Sequence, residues 1–117
     1  MKLTEIAVEL VLESLTPEIE ISKEAELREG YASDLLSDVL ANAPHGGVLV
    51  TVQVHLNVIA VAMHAELAAI IFASGRIPEA VVREKAVQEG IVLYMSNEPA
   101  FDVVGKLYSL GIRGHLV

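Results

Sequence analysis

A chain of 117 residues has room for one core of ordinary domain size, so a single domain spanning residues 1–117 is expected, with no second catalytic domain beside it. A composition that is 53% hydrophobic, with a mean hydropathy of +0.51, excludes a disordered chain, and the lack of cysteine excludes disulfides, thiolate metal sites and a cysteine nucleophile. The net charge of −8 lies almost wholly in the first third: residues 1–38 hold ten acids against three bases, residues 39–117 six against five, a distribution that repels phosphate backbones and leads us to expect no nucleic-acid partner.

In chain order, Thr4 is placed to cap a first helix over Glu5–Glu13, with Ile6, Leu10 and Val11 at helical spacing and Thr16-Pro17 as its stop. Glu18–Ile21 alternates polar and apolar like a short strand, and a second extended piece covers Leu27–Ala32. Ser33 is the expected N-cap of a helix from Asp34 to Ala43, striped by Leu35, Leu36, Val39 and Leu40 and ended by Pro44-His45-Gly46-Gly47. Val48–Val54 reads as a strand, with Val48, Val50, Val52 and Val54 on one face and Leu49, Thr51, Gln53 and His55 on the other. Asn57 then caps a helix over Val58–His64 that is apolar all round and so expected to be buried, and Leu67–Phe72 reads as a buried strand. After Ser74-Gly75, Pro78 opens a helix that runs to Glu89 and is capped by Gly90; Ile91–Met95 is a strand, and a last helix after Pro99 buries Val103, Val104, Leu107 and Leu110 before Gly111.

Strands and helices alternating through the second half, with short turns between them, predict a three-layer α/β/α domain on a mostly parallel sheet. Gln53, His55, Asn57, His64 and Glu66 interrupt the most apolar region, Val48–Ala73, so no membrane span is expected, and the polar first residues do not read as a signal peptide. A cytoplasmic address is expected, and the lack of cysteine is compatible with it.

Familiar catalytic motifs fail on inspection. Gly105-Lys106 is followed by Leu107, and Ala100 occupies the position where a phosphate-binding loop needs its first glycine. The four histidines, His45, His55, His64 and His115, include no His-x-x-x-His pair, so no metal is expected. Two constellations remain. Asp34 and Asp38, one turn apart on the predicted helix with Ser37 beside them, suit a cation or an acid–base pair, or simply face water. Thr51, Gln53, His55 and Asn57 share one side of a strand that leads into a helix N-terminus, where ligands of parallel α/β sheets settle; the plainer alternative is a cap and a subunit contact.

The run Gly30-Tyr31-Ala32-Ser33-Asp34-Leu35-Leu36-Ser37-Asp38 with its continuation to Ala43, followed by Thr51–Ala62 and Leu67–Ile71, resembles the DRTGG domain. That family supplies regulatory modules to some phosphotransacetylases and inorganic pyrophosphatases, and also occurs alone. It is similar in fold to the N-terminal domain of HPr kinase/phosphorylase, and the resemblance implies an α/β/α regulatory unit without the kinase's phosphate-binding domain. The sequence departs from the family where the name-giving residues fall on Glu24 to Gly30: only Gly30 is kept, and Glu29 places bulk and negative charge in that loop.

The expected function is therefore a non-catalytic regulatory or ligand-sensing module, acting as a homodimer and binding a nucleotide or other small effector near Asp34, Ser37, Asp38, Thr51, Gln53, His55 and Asn57, with no cofactor. Two alternatives are carried: a small enzyme using Asp34, Asp38 and His55, and an accessory subunit that docks onto a larger kinase or transferase through its acidic first third.

Overall fold

The computed structural model describes residues 1–114. Its elements are helix α1 (Leu3–Glu9), strand β1 (Glu13–Ser14), β2 (Glu29–Ala32), α2 (Leu36–Asn42), β3 (Val48–Thr51), α3 (Asn57–His64), β4 (Ala69–Phe72), α4 (Ala80–Glu89), β5 (Val92–Met95), α5 (Ala100–Ser109) and β6 (Arg113–Gly114). The strands form one sheet in the order β1-β5-β4-β3-β2-β6, parallel throughout except for β1, which runs antiparallel to β5.

The pleat sorts the strand residues into two cores. Leu49, Ile70, Phe72, Leu93 and Met95 point to one side, where Val39 of α2, Val58, Ile59 and Ala62 of α3, and Val82 and Ala86 of α4 cover them. Val48, Val50, Ala69, Ile71, Val92 and Tyr94 point to the other, under Leu3 and Ile6 of α1 and Val103 and Leu107 of α5. β3, β4 and β5 are buried along their whole length because both faces are covered, as expected of parallel strands. The result is the three-layer α/β/α arrangement that the alternation of elements predicts.

Several local expectations are corrected. α1 stops at Glu9, because Val11 turns left-handed (φ 53°) and the Leu12 N–H closes back on the Ala7 carbonyl; the residues beyond are drawn out as β1 by pairing with Tyr94 and Met95. Thr16, read as part of a helix stop, is buried, and its hydroxyl accepts the Leu93 N–H at 3.1 Å. Glu18–Ile21 is not a strand: Ile19 and Ile21 alternate because they pack as a strap against the α1/α5 core, not because they join a ladder. α2 begins at Leu36, so Asp34 lies before it and does not share a helical face with Asp38. β3 ends at Thr51; Val52 still packs toward the α1/α5 core, but the chain then turns and Val54 packs toward the other. α3 buries Val58, Ile59 and Ala62 only, leaving Ala60 and Met63 exposed.

Candidate functional site

At the carboxyl end of β3 one carboxylate organises two loops. Asp34, in the β2–α2 connection, uses Oδ1 to accept the Thr51 hydroxyl at 2.8 Å and the Val52 N–H at 2.8 Å. Thr51 is buried, so the bond is made at the floor of the site while Asp34 itself reaches solvent. From there a relay of side chains, each accepting the N–H two residues on, shapes the segment into α3. Thr51 Oγ1 takes the Gln53 N–H at 3.0 Å, Gln53 Oε1 takes the His55 N–H at 3.2 Å, and His55 Nδ1 takes the Asn57 N–H at 3.0 Å. Short polar side chains compete with regular ladders for local N–H groups in this way, which is why β3 stops at Thr51.

The relay also decides which groups are left for a ligand. With Oε1 spent on a backbone donor, the Gln53 amide keeps its NH2 donors; with Nδ1 accepting, the neutral His55 ring carries its proton on Nε2, on an exposed side chain. Asp34 keeps Oδ2 as an acceptor. Asn57, expected as an N-cap, is instead the first helical residue, and the N–H groups of Asn57, Val58 and Ile59 are taken by His55 Nδ1, the His55 carbonyl and the Leu56 carbonyl. The start of α3 is thus occupied by the chain's own acceptors, and the outward donors at this mouth are side chains.

Asp38 belongs to a separate network. Its Oδ1 accepts the Tyr31 hydroxyl at 2.7 Å and the Asn42 amide at 2.9 Å. Hydrogen bonds from Tyr31, Asn42 and Ser33 hold the Asp38 carboxyl below its ordinary value, and the bond to Asp38 pushes the Tyr31 phenol up. Ser37 lies exposed on α2. The sequence-derived residues therefore divide: Asp34, Thr51, Gln53, His55 and Asn57 come together in one bonded chain, while Asp38 joins Tyr31 and Asn42.

His45 and Glu66 meet on the surface at 3.2 Å. Among the described residues no group of three His, Cys, Asp or Glu is arranged to hold a metal ion; His115 lies outside them. Among the described residues no helix is long and apolar enough to cross a membrane.

Two further places needed the tertiary structure to be seen. In open α/β sheets the favoured crevice opens between adjacent strands whose following helices lie on opposite faces, here β4 and β5. That crevice is laced across: the Ser74 N–H donates to the Glu98 carbonyl and the Gly75 N–H to the Ser96 carbonyl, each at 2.8 Å. The second place is a cleft of about 240 Å³ between β2 and α5, lined by Ala32, Val50, Val104, Leu107 and Ile112 with Tyr108 and Arg113 at its rim. Its lining is apolar, and the Arg113 guanidinium is engaged, 3.8 Å above the Tyr108 ring and donating to the Tyr108 carbonyl.

No protein family matches the sequence in a scan of family patterns, and no curated protein matches it. Among solved structures the fold is similar to the CBS and DRTGG domains of the regulatory region of a Clostridium perfringens pyrophosphatase, crystallised with the activator diadenosine tetraphosphate. The match has a TM-score of 0.71 at 14% identity, covering 91% of this chain and 45% of that one, so this chain spans less than half the length of the structure it resembles. The likeness supports a DRTGG-like fold.

Proposed function

We propose that residues 1–117 form one non-catalytic, ligand-sensing regulatory domain that acts as a homodimer, and that its effector is a nucleotide held at the mouth between the β2–α2 and β3–α3 loops. The observation that carries this reading is the bonded chain from Asp34 through Thr51, Gln53 and His55 to Asn57. It fixes the loop before any ligand arrives and aims an amide NH2, an imidazole N–H and a carboxylate oxygen outward, a mixed set of donors and acceptor. Preorganised groups of this kind bind at a reduced ordering cost. The carboxylate of Asp34 disfavours a phosphate at the same spot, so the groups suit a base edge or a ribose.

The kinship of fold with a nucleotide-activated regulatory region supports the same direction. Proton-transfer chemistry is poorly served, since Tyr31 and Asp38 are moved away from neutrality in opposite senses and Asp34 is committed to a different network.

The test is a thermal-shift screen of the purified chain against adenine and guanine nucleotides and acyl phosphates, repeated with Gln53→Ala and His55→Ala. A ligand at a hundred times its Kd adds about 2.7 kcal/mol of stability. A nucleotide should raise Tm in the wild type and do so far less in either variant. No shift with any nucleotide, or multiple-turnover hydrolysis of one, would refute the proposal.

A further inference from the structure

The connections that follow β2, β3, β4 and β5 all lie at the carboxyl edge of the sheet, because those four strands are parallel. Their residues of fixed charge are Asp34, Arg76, Glu79 and Glu98. Glu98 is neutralised by Lys106, whose Nζ lies 2.7 Å from each carboxylate oxygen, and Asp34 is bound to Thr51 and Val52. Arg76 is the one cation within these connections. Although the chain holds 16 acids against 8 bases, the exposed Arg76 guanidinium makes no ion pair or hydrogen bond among the described residues, with Glu79 or with any other.

Backbone bonds fix the turn that carries it. The Ala73 N–H donates to the Thr51 carbonyl at 3.0 Å, which ties the turn to the end of β3, and the Arg76 N–H closes it on the Ala73 carbonyl at 3.1 Å. On the other side Ser74 and Gly75 are laced to the β5–α5 connection, and a Cβ on Gly75 would lie 3.4 Å from Asn97 Oδ1, which sets the Asn97 amide against the same turn. The lacing consumes backbone groups only. The side chains of Ser74, Arg76 and Asn97 around it are exposed, and none has a hydrogen-bond partner among the described residues.

We propose that Ser74, Arg76 and Asn97 form the phosphate subsite of the effector, whose base or ribose lies beside Asp34, Gln53 and His55, so that the chain prefers a nucleotide to the bare nucleoside. The inference rests on the reading of that mouth given above. The Asp34 carboxylate turns a phosphate away from the mouth itself, and the β2–α2 connection on its far side, Ser33-Asp34-Leu35, offers no cation. Adjacent strands lie about 4.8 Å apart, so the rim between β4 and β5 is about 7 Å from β3, within the length of one nucleoside monophosphate. A phosphate presents acceptor oxygens and negative charge, and the three side chains answer with a guanidinium fork, an amide NH2 and a hydroxyl.

The experiment is calorimetric titration of the purified chain with adenosine, guanosine and the corresponding monophosphates, at low and high salt. A monophosphate should bind about 10-fold or more tightly than its nucleoside, and the advantage should shrink as salt rises. Arg76→Ala should abolish the advantage and Arg76→Lys should keep part of it, since a lysine supplies the charge without the fork. Neither change should move the Tm of the ligand-free chain, because Arg76 is exposed and unbonded among the described residues. Gln53→Ala should weaken nucleoside and monophosphate by the same factor. Equal affinities for the two, or an advantage that survives Arg76→Ala, would overturn the phosphate subsite and leave the mouth standing. A monophosphate that depends on Arg76 but is indifferent to Gln53→Ala would overturn the mouth instead, and binding of none of these compounds would overturn both.

Discussion

Replacing Thr51 with Val removes the hydroxyl that ties Asp34 to the start of the relay and leaves the side chain almost isosteric, so the cost is one of hydrogen bonding and not of a cavity. Two bonds go: the one Thr51 donates to Asp34 at 2.8 Å and the one it accepts from the Gln53 N–H at 3.0 Å. A neutral hydrogen bond contributes about 1 kcal/mol, and one to a carboxylate about 1.5 to 3. Asp34 is exposed, so its bond belongs at or below the lower end, and the regained burial of a methyl offsets part of the loss. The net destabilisation should be about 1 to 2 kcal/mol, or roughly 4 to 8 °C in Tm for a chain of this size. Urea unfolding of wild type, Thr51→Val, Asp34→Ala and the double variant gives the coupling between the two side chains, which should be about 1 kcal/mol with unchanged m-values. Additive effects, with coupling within about 0.3 kcal/mol of zero, would refute the claim that one carboxylate anchors the loop.

Asp38→Asn should bring the Tyr31 phenol back down toward its ordinary value of 10.0, because the Asp38 bond is the first cause of its rise; ultraviolet titration at alkaline pH would show one tyrosine ionising earlier. Asp38 itself is held below its ordinary 3.8, so the stability it contributes is present above that value and lost as pH falls through the lower folded one. Acid unfolding of Asp38→Asn should therefore depend less on pH in that range than acid unfolding of the wild type. Gly47→Ala should cost about 1 to 3 kcal/mol by chemical denaturation, since the new Cβ would lie 2.9 Å from Pro44 Cγ and 3.0 and 3.1 Å from the Pro44 and Glu29 carbonyl oxygens. Ser74→Gly should raise stability by about 0.5 kcal/mol, because Ser74 is exposed and held at φ 59°, where glycine pays no steric penalty; a loss of stability would count against strain at that turn.

The elements that the sequence announced were those whose own residues carry the instruction. Ala69–Phe72 and Val92–Met95 are apolar on both faces, as a buried parallel strand must be, and Gly90, at φ 71°, closes α4 where the pattern ends. The bonded chain at the mouth was half legible. The polar alternation of Thr51, Gln53, His55 and Asn57 marked the segment, yet it was read as a strand face when it is a loop whose side chains hold their own backbone. The partner of Thr51, Asp34, lies 17 residues away and looked from its spacing like a helical companion of Asp38.

Local propensity and periodicity, which reside in neighbouring residues, determined the class of fold and most of the second half. Strand order, the pairing of Glu13 and Ser14 with β5, the sealed crevice between β4 and β5 and the bare outer face of α5 depend on which distant surfaces meet. Period-two alternation fits a ladder and a packed strap equally well, and only the neighbour supplied by the rest of the chain distinguishes them, as it does for Ile19 and Ile21.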